Sequence, residues 1–225
     1  MAEVLRFEGV RKAFRGRGGE RVEVLKGVDW AVEEGGYAVV TGPSGCGKST
    51  LLTLAALLEE PDGGRILFAG REVAGAGETE RTEIRKRGIG MVFQRFHLLN
   101  GRSALENVEL RFRYLGTPRR EAREKSLAAL ERVGMADKAG RDVRVLSSGE
   151  QQRVAIARAI AEPPRLLLAD EPTGNLDEET AARIMELFGE LNAGGLVLAV
   201  VTHHPAWRAA GARRWRLHGG VMAGE

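Results

Sequence analysis

The stretch that decides the fold is GPSGCGKST, residues 42–50, which matches the pattern G-x-x-x-x-G-K-[ST]. It follows a short apolar, β-rich run, Tyr37–Thr41, and leads into Lys48–Leu58, which is typical of a helix ending before Pro61. The pattern requires this order of strand, loop and helix. Its glycines let backbone N–H groups approach an anion, and the helix adds the positive end of its dipole. The loop therefore predicts a phosphate-binding site of the kind found in ATPases and GTPases.

The residue types in this loop suit contact with phosphates. Lys48 should reach the β and γ phosphates, and Ser49 should ligate Mg²⁺. A thiolate at Cys46 would face phosphate charge, so we interpret this cysteine as a small filling residue. We expect the whole loop to contact the nucleotide: Gly42, Pro43, Ser44, Gly45, Cys46, Gly47, Lys48, Ser49 and Thr50.

The composition indicates a globular, soluble protein. Of its 225 residues, 43% are hydrophobic and 29% are charged. The net charge is +3, and although the pI is 9.3, basic and acidic residues are interspersed, so nucleic acid is not an expected partner. Cys46 is the single cysteine, which excludes an internal disulfide, and the first residues lack a signal-peptide pattern. We therefore expect a cytoplasmic protein that reaches a membrane only through a partner, since its apolar runs are too short to span one.

Apolar runs and helical spacing predict an α/β protein. Leu166–Ala169 and Leu196–Val201 lack alternation and are bounded by polar residues or proline, as in parallel strands buried on both faces. Ser103–Leu115 and Pro118–Val133 carry apolar residues at helical spacing. Gly75–Arg87 is expected to be a loop that leads into a short polar helix.

These elements predict one domain over residues 1–225 with a helical insertion. Its core would be formed by about residues 1–94 and 163–225, and the inserted helical subdomain by about residues 95–162.

Two carboxylates follow the run LLLA at residues 166–169. Ligand sites of open α/β sheets lie at the carboxyl ends of strands, so Asp170 and Glu171 are expected near the phosphates. Consecutive strand residues point to opposite sides, and Pro172 should hold Glu171 extended, which favours separate roles. We assign Asp170 to Mg²⁺, through water, and Glu171 to the attacking water. An acidic pair can also be an ordinary strand end, and its pairing with the loop is what favours catalysis.

The run LSSGE at residues 146–150 precedes another helical pattern. Ser147 and Glu150 fit the S-x-x-E capping box, so a plain helix cap is one interpretation. A helix start with a serine hydroxyl can also hold a phosphate, and spacing alone does not choose between the two.

Together these residues resemble the ABC ATPase family, whose signature L-S-G-G-[QE] corresponds to residues 146–150. The resemblance covers essentially the whole chain. It implies a P-loop NTPase (RecA-like) core with an antiparallel β subdomain and an inserted α-helical subdomain, and it implies ATP and Mg²⁺ as cofactors.

The resemblance also implies site residues. Phe14 looks like the residue that stacks on adenine, Gln94 like the Q-loop glutamine, which also serves Mg²⁺, and Asp177 like the D-loop aspartate. His203 resembles the switch histidine, which joins Lys48 and Glu171 as a catalytic residue. Two copies would close head to tail on ATP binding, so that the signature residues Ser147, Gly149 and Glu150 reach the partner's nucleotide.

A branch of the family can be named. Residues 171–177, EPTGNLD, and 149–153, GEQQR, resemble the lipoprotein-releasing, macrolide-exporting and cell-division members. Such ATPases work with a separate integral membrane permease, which would place this chain on the inner face of the cell membrane. Residues 97–100 would lie where a permease helix docks, or would only pack within the chain. The rival function, a soluble ABC protein acting on DNA or ribosomes, is disfavoured by the single cassette without a coiled-coil insertion.

The chain departs from the family at three positions. Ser148 replaces the first glycine of the signature pair, and its side chain could crowd the phosphate and slow turnover. This keeps open a switch-like protein with little hydrolysis. His204 replaces an aspartate, and Phe14 replaces a tyrosine while preserving stacking.

Overall fold

The computed structural model describes residues 2–16, 18–204, 207 and 211–225. The strands and helices, in chain order, are β1 (Glu3–Arg15), β2 (Arg21–Glu33), β3 (Tyr37–Thr41), α1 (Lys48–Ala55), β4 (Gly63–Phe68), β5 (Arg71–Glu72), α2 (Glu78–Gly88), β6 (Ile89–Val92), α3 (Ala104–Arg113), α4 (Arg119–Arg132), α5 (Ser148–Ile160), β7 (Leu166–Asp170), α6 (Glu178–Ala193), β8 (Leu198–Val201), β9 (Arg213–His218) and β10 (Val221–Gly224).

The strands form two sheets. A four-stranded antiparallel sheet has the order β2-β1-β4-β5, and a six-stranded sheet has the order β10-β9-β3-β8-β7-β6. In the larger sheet β9, β3, β8, β7 and β6 run parallel, and β10 pairs with β9 in the antiparallel direction. The carboxyl ends of β3 and β7 therefore meet at one edge, on either side of β8.

Successive residues of the parallel strands enter opposite cores, because side chains alternate across a sheet. Val39 and Val200 belong to the core that contains α3, α4, α5 and α6. Val40 and Val201 belong to the core shared with α1 and the antiparallel sheet. Helices therefore cover one face of the larger sheet, and α1 with the smaller sheet covers the other.

A buried polar contact secures the start of β3. Trp207 donates a hydrogen bond from Nε1 to the hydroxyl of Tyr37 over 2.8 Å, and its ring packs edge-on against Phe188 with 5.6 Å between centroids. Burial raises the pKa of Tyr37, so the phenol stays neutral and able to accept this bond. Residue 207 is thereby tied to both β3 and α6.

The predicted strands and helices are present, with small shifts at their ends. β3 and β7 begin as predicted, whereas β8 begins at Leu198 rather than Leu196. α1 ends at Ala55, three residues before the predicted end at Leu58, and α2 is a helix of 11 residues. No helix among the described residues is long and apolar enough to span a membrane.

Helices α3, α4 and α5 pack on one another as the predicted insertion requires. The boundaries of the inserted helical subdomain, near residues 94 and 162, remain a prediction.

Candidate active site

The predicted phosphate loop joins β3 to α1 and depends on glycine at two points. Gly47 precedes α1 with a left-handed φ of +107°, and a Cβ there would lie 2.9 Å from Cγ1 of Val24. A Cβ at Gly42 would lie 2.3 Å from the main-chain oxygen of Leu217 in β9. A side chain at Gly42 would displace the main chain of β9, and one at Gly47 would strain its left-handed backbone and displace the side chain of Val24.

Lys48 is buried at the first turn of α1 and folds back over the loop. Its Nζ donates to the carbonyl oxygens of Gly42 at 2.9 Å and Pro43 at 3.0 Å. The same Nζ lies 3.9 Å from Oε1 of Glu171. The ammonium is thus positioned between the loop and the strand end that carries the carboxylates.

Asp170, the last residue of β7, contacts the start of α1. Burial raises the pKa of Asp170, and the negative charge of Glu171 raises it further, while a hydrogen bond from Ser49 and the charge of Lys48 act in the opposite direction. The contact with Ser49 brings together a hydroxyl and a carboxylate, two oxygen ligands that suit Mg²⁺. Among the described residues no cluster of three or more His, Cys, Asp or Glu side chains could hold a metal.

Glu171 does not have the extended conformation that we expected from Pro172. Its φ is +44°, because its N–H donates to the oxygen of Val201 at 2.9 Å and its own oxygen accepts from Gly174 at 3.0 Å. These two hydrogen bonds override the preference imposed by the following proline. The left-handed turn also brings both Asp170 and Glu171 into one cleft, rather than onto opposite sides of the strand. Their partners still differ, as expected, since Glu171 contacts His203 and Lys48.

His203 holds the carboxylate of Glu171. The main-chain N–H of His203 donates to Oε2 at 3.0 Å, and Nδ1 lies 2.8 Å from Oε1. The Glu171 side chain is 13% exposed and the imidazole of His203 is 62% exposed. A histidine that faces solvent therefore covers an acid that is nearly buried.

One cleft of about 460 Å³ collects most of the predicted site residues. Its lining is contributed by the phosphate loop, the strand ends and β1: Phe14, Val24, Ser44, Gly45, Gly47, Lys48, Ser49, Thr50, Gln94, Asp170, Glu171 and His203. Phe14 is 41% exposed, so one face of its ring is open to a planar ligand. Sequence reasoning missed Val24, which reaches the cleft because β2 pairs with β1, and no local signal marked this valine.

Three loop residues lie outside this lining. Gly42 and Pro43 border a neighbouring cavity that also contains His203, and Cys46 packs against the second core. The cysteine therefore has the filling position that we expected for it.

Gln94 is held by the turn after Glu171. Asn175 donates from Nδ2 to the main-chain oxygen of Gln94 at 2.9 Å, and a Cβ at Gly174 would lie 2.9 Å from Nε2 of Gln94. The main chain of Gln94 is thus held by the turn after Glu171, and its side-chain amide lies close to Gly174 in that turn.

The signature residues cap α5 and lie outside the cleft. Ser147 Oγ accepts from the N–H of Glu150 at 3.3 Å, while Glu150 Oε2 accepts from the N–H of Ser147 at 2.8 Å, which confirms the capping box. Lys138 donates to Oε1 of Glu150 at 2.5 Å and is the main cause of a lowered pKa of Glu150. Gly149 is buried against α6, since a Cβ there would lie 2.4 Å from Cγ2 of Thr180. Ser148 is exposed.

Asp177 also caps a helix. Its carboxylate accepts from the N–H of Thr180 at 2.9 Å and from the Thr180 hydroxyl at 2.7 Å, at the start of α6. These bonds lower the pKa of Asp177. Within one copy of the chain, Asp177, Ser147, Gly149 and Glu150 are therefore not brought to the cleft.

Comparison with known proteins identifies the family. The ABC transporter family matches residues 25–174 of the chain. The lipoprotein-releasing system ATP-binding protein LolD of Aquifex aeolicus is 42% identical over 225 residues, which cover 100% of this chain and 98% of that protein. The pyoverdine export ATP-binding/permease protein PvdT of Pseudomonas syringae pv. tomato is 42% identical over 197 residues, which cover 88% of this chain and 30% of that longer protein.

Solved structures agree. The dimeric structure of MJ0796, a bacterial ABC transporter cassette, matches with a TM-score of 0.89 and 36% identity, over 98% of this chain and 97% of that one. The same cassette as a post-hydrolysis dimer bound to ADP and Pi matches with a TM-score of 0.88. The loop, the paired carboxylates and the capped signature thus occur on the fold that the resemblance implied, and the chain belongs to the ABC transporter family as one of its ATP-binding, ATP-hydrolysing subunits.

Proposed function

We propose that Lys48, Glu171 and His203 carry out ATP hydrolysis in this chain, which drives a separate membrane permease. The observation that carries the assignment is the carboxylate of Glu171, held between Nζ of Lys48 at 3.9 Å and Nδ1 of His203 at 2.8 Å. Lys48 binds the β and γ phosphates, and Glu171 accepts a proton from the attacking water. His203 orients the carboxylate.

Mg²⁺ would be held by Ser49 and Asp170, with Gln94 at the same cleft. A bound Mg²⁺ would neutralise charge on the phosphate oxygens. The Ser49 hydroxyl and the Asp170 carboxylate already contact each other, so both oxygen donors lie at the same point of the cleft.

Head-to-tail association of two copies would complete the site. The signature lies outside the cleft of its own chain, with Ser147 and Ser148 exposed at the start of α5. A helix start of this kind offers N–H groups to an anion on another molecule. The relative MJ0796 is dimeric, both in a cassette structure and in one with ADP and Pi. We infer that ATP joins the phosphate loop of one copy to Ser147 and Gly149 of the other.

A groove beside β6, separate from the nucleotide cleft, suits a permease segment. It measures about 570 Å³ and is lined by apolar side chains, among them Leu58, Met91 and Phe93, with cationic groups at Arg85 and Arg158. Tyr114, at its rim, is 74% exposed. The relative PvdT is an ATP-binding/permease protein, which supports a permease as partner here and a location on the inner face of the cell membrane.

Residues 97–100, beside this groove, are packed within the chain, and the exposed side chain of Leu99 leaves docking of a permease helix as a proposal. The oxygen of His97 accepts from Arg158 at 2.7 Å, and Leu98 packs against the first core. Leu99 donates its N–H to Oδ1 of Asn107 at 2.7 Å, yet its side chain is exposed. The segment is therefore packed within the chain and still presents Leu99 to a partner.

The experiment that tests the whole assignment has two parts. Phosphate release by the purified protein should require ATP and Mg²⁺ and be lost in Glu171→Gln. Purification from solubilised membranes should recover an integral membrane protein with the wild type and with Val221→Glu, which changes an exposed residue of β10, but not with Tyr114→Glu. Equal recovery with both variants would contradict the groove assignment.

A further inference from the structure

One buried hydrogen bond connects the signature helix to the turn that carries Glu171. Gln152 lies on α5, five residues after Ser147, and is completely buried. Its Nε2 donates to the main-chain oxygen of Pro172 at 2.7 Å. Pro172 directly follows Glu171, so the bond links the helix that begins at the signature to the peptide next to the proposed catalytic base.

The turn needs such a support because it has an uncommon conformation. Glu171 is left-handed, and Pro172 has no N–H with which to fix itself. The backbone of Glu171 is held to Val201 on one side and to Gly174 on the other. The amide of Gln152 adds a third attachment at Pro172, the residue after Glu171, and reaches it from the helical side of the sheet.

The burial of this amide indicates a role beyond packing. Gln152 Oε1 and the hydroxyl of the neighbouring Thr173 are both buried without a hydrogen-bond partner in the part of the chain that the structure describes. Burying polar atoms without partners costs stability, whereas an apolar side chain of the same length would fill the space without that cost. A residue that departs from the local packing rule in this way is expected at a functional position.

We propose that Gln152 is a positioning residue for Glu171 and the link between the two nucleotide sites of the dimer. The inference rests on the proposed roles of Glu171 and Ser147. Gln152 holds the Pro172 carbonyl so that the Glu171 carboxylate keeps its direction towards the cleft. Ser147, which would contact the nucleotide of the other copy, heads the same helix, so α5 and Gln152 connect that nucleotide to the base in this chain's own cleft.

The test replaces Gln152 by Met, which has similar length and no donor. We expect Gln152→Met to lower kcat by about 10- to 100-fold, the cost of a slightly misplaced catalytic group, with KM and ATP-dependent dimerisation unchanged. The matched control is Asn192→Leu: Asn192 also donates its amide to carbonyls, those of Gly35, Gly36 and Leu196, but it does so at the far edge of the sheet. The control should lose thermal stability and keep kcat.

The rate of single-turnover hydrolysis within preformed closed dimers distinguishes a positioning role from a structural one. If Gln152 were only structural, the folded fraction of Gln152→Met would hydrolyse ATP at the wild-type rate. If Gln152→Met does not fold, Gln152→Leu removes the donor with a smaller apolar side chain, and Gln152→Asn, which keeps a shorter amide, should recover part of the rate. A wild-type rate in closed dimers, or an equal loss in Asn192→Leu, would overturn the proposal. Glu171→Gln is measured in parallel. If it is active, the proposed role of Glu171 is wrong and this inference fails with it. If it is inactive while Gln152→Met hydrolyses ATP normally, only this inference is overturned.

Discussion

Both carboxylate oxygens of Glu171 are held by one residue, His203. Oε2 accepts from the main-chain N–H at 3.0 Å and Oε1 lies 2.8 Å from Nδ1. Glu171 follows β7 and His203 follows β8, so the contact joins the ends of two neighbouring parallel strands. The ends of these two strands therefore fix the direction of the carboxylate, which a free and flexible glutamate side chain would not keep.

Glu171→Gln should abolish hydrolysis and preserve ATP binding. The amide keeps the size of the side chain but cannot accept the proton of the attacking water, so turnover should fall by roughly 10²- to 10⁴-fold. ATP bound without hydrolysis should then hold the dimer closed, which gel filtration with ATP would detect. The control Glu179→Gln changes an exposed acid paired with Arg183 and should behave as wild type. Turnover near wild type in Glu171→Gln would remove this residue as the base.

His203→Ala should impair hydrolysis more than binding. The substitution removes the Nδ1 contact at 2.8 Å but keeps the main-chain N–H that holds Oε2. Glu171 is then partly oriented, so we expect a smaller loss than in Glu171→Gln. Single-turnover hydrolysis and a nucleotide-binding titration measure the two effects separately, and a normal single-turnover rate would exclude His203 from the site.

Lys48→Ala should weaken nucleotide binding. Hydrogen bonds to a charged group contribute about 1.5–3 kcal/mol each, so affinity should fall by at least roughly tenfold. Lys125→Ala is the control, because Lys125 forms its ion pairs within the described residues with Glu121 and Glu162, on the helical side. Direct titration with ATP compares the two variants, and equal affinities would contradict the assignment.

Asp170→Asn should have opposite effects on the empty and the loaded protein. Burial raises the pKa of Asp170 in the folded state above its ordinary 3.8. As pH rises, Asp170 therefore loses its proton in the unfolded chain before it does so in the folded protein. The free energy of unfolding falls as pH rises from the ordinary pKa to the folded pKa and stays lower above it. At neutral pH the Asn variant should therefore melt higher than wild type without nucleotide, and gain less from ATP with Mg²⁺. Thermal melts at neutral pH and below pH 3.8 test the sign, since the advantage should disappear in acid.

Ser148→Gly should raise turnover if the exposed hydroxymethyl group crowds the phosphate approach, as we expected from its place in the signature. Ser148 is exposed and is the first residue of α5, so glycine there should cost no more than the roughly 1 kcal/mol that it costs in a helix interior. Phosphate release at saturating ATP is the measurement. Equal rates for Ser148→Gly and wild type would show that the signature tolerates serine at this position.

Three central strands of the larger sheet, β3, β7 and β8, could be predicted because they are almost entirely apolar, whereas β9 carries three arginines and gave no such signal. β3 and β7 lie where the runs beginning at Tyr37 and Leu166 place them, and residues in β3, β7 and β8 are almost all buried. The antiparallel sheet had no comparable signal. Register shifts between β1 and β2, such as the one between Phe7 and Val10, interrupt the two-residue alternation that identifies a half-buried strand. Only the family resemblance implied that sheet.

The site was predictable where chemistry is local and not where it depends on distant backbone. The loop and the two carboxylates follow from the short motifs at 42–50 and 170–171. The left-handed turn at Glu171 depends on a hydrogen bond to Val201, thirty residues away in sequence, and no local rule could supply it. The same holds for Gln152, whose partner Pro172 lies twenty residues further along the chain.

Gly42 must be glycine for a structural reason as well as for its place in the phosphate loop, because it lies against Leu217. A Cβ at Gly42 would lie 2.3 Å from the Leu217 oxygen, and Thr41 beside it is paired with Arg216 across the β3–β9 ladder. A larger residue at 42 would therefore force β9 and the attached β10 away from the rest of the sheet even when no nucleotide is bound. Variants at Gly42 report on whether the β9–β10 hairpin stays docked, whereas replacement of Lys48, the first residue of the following helix, reports on phosphate binding.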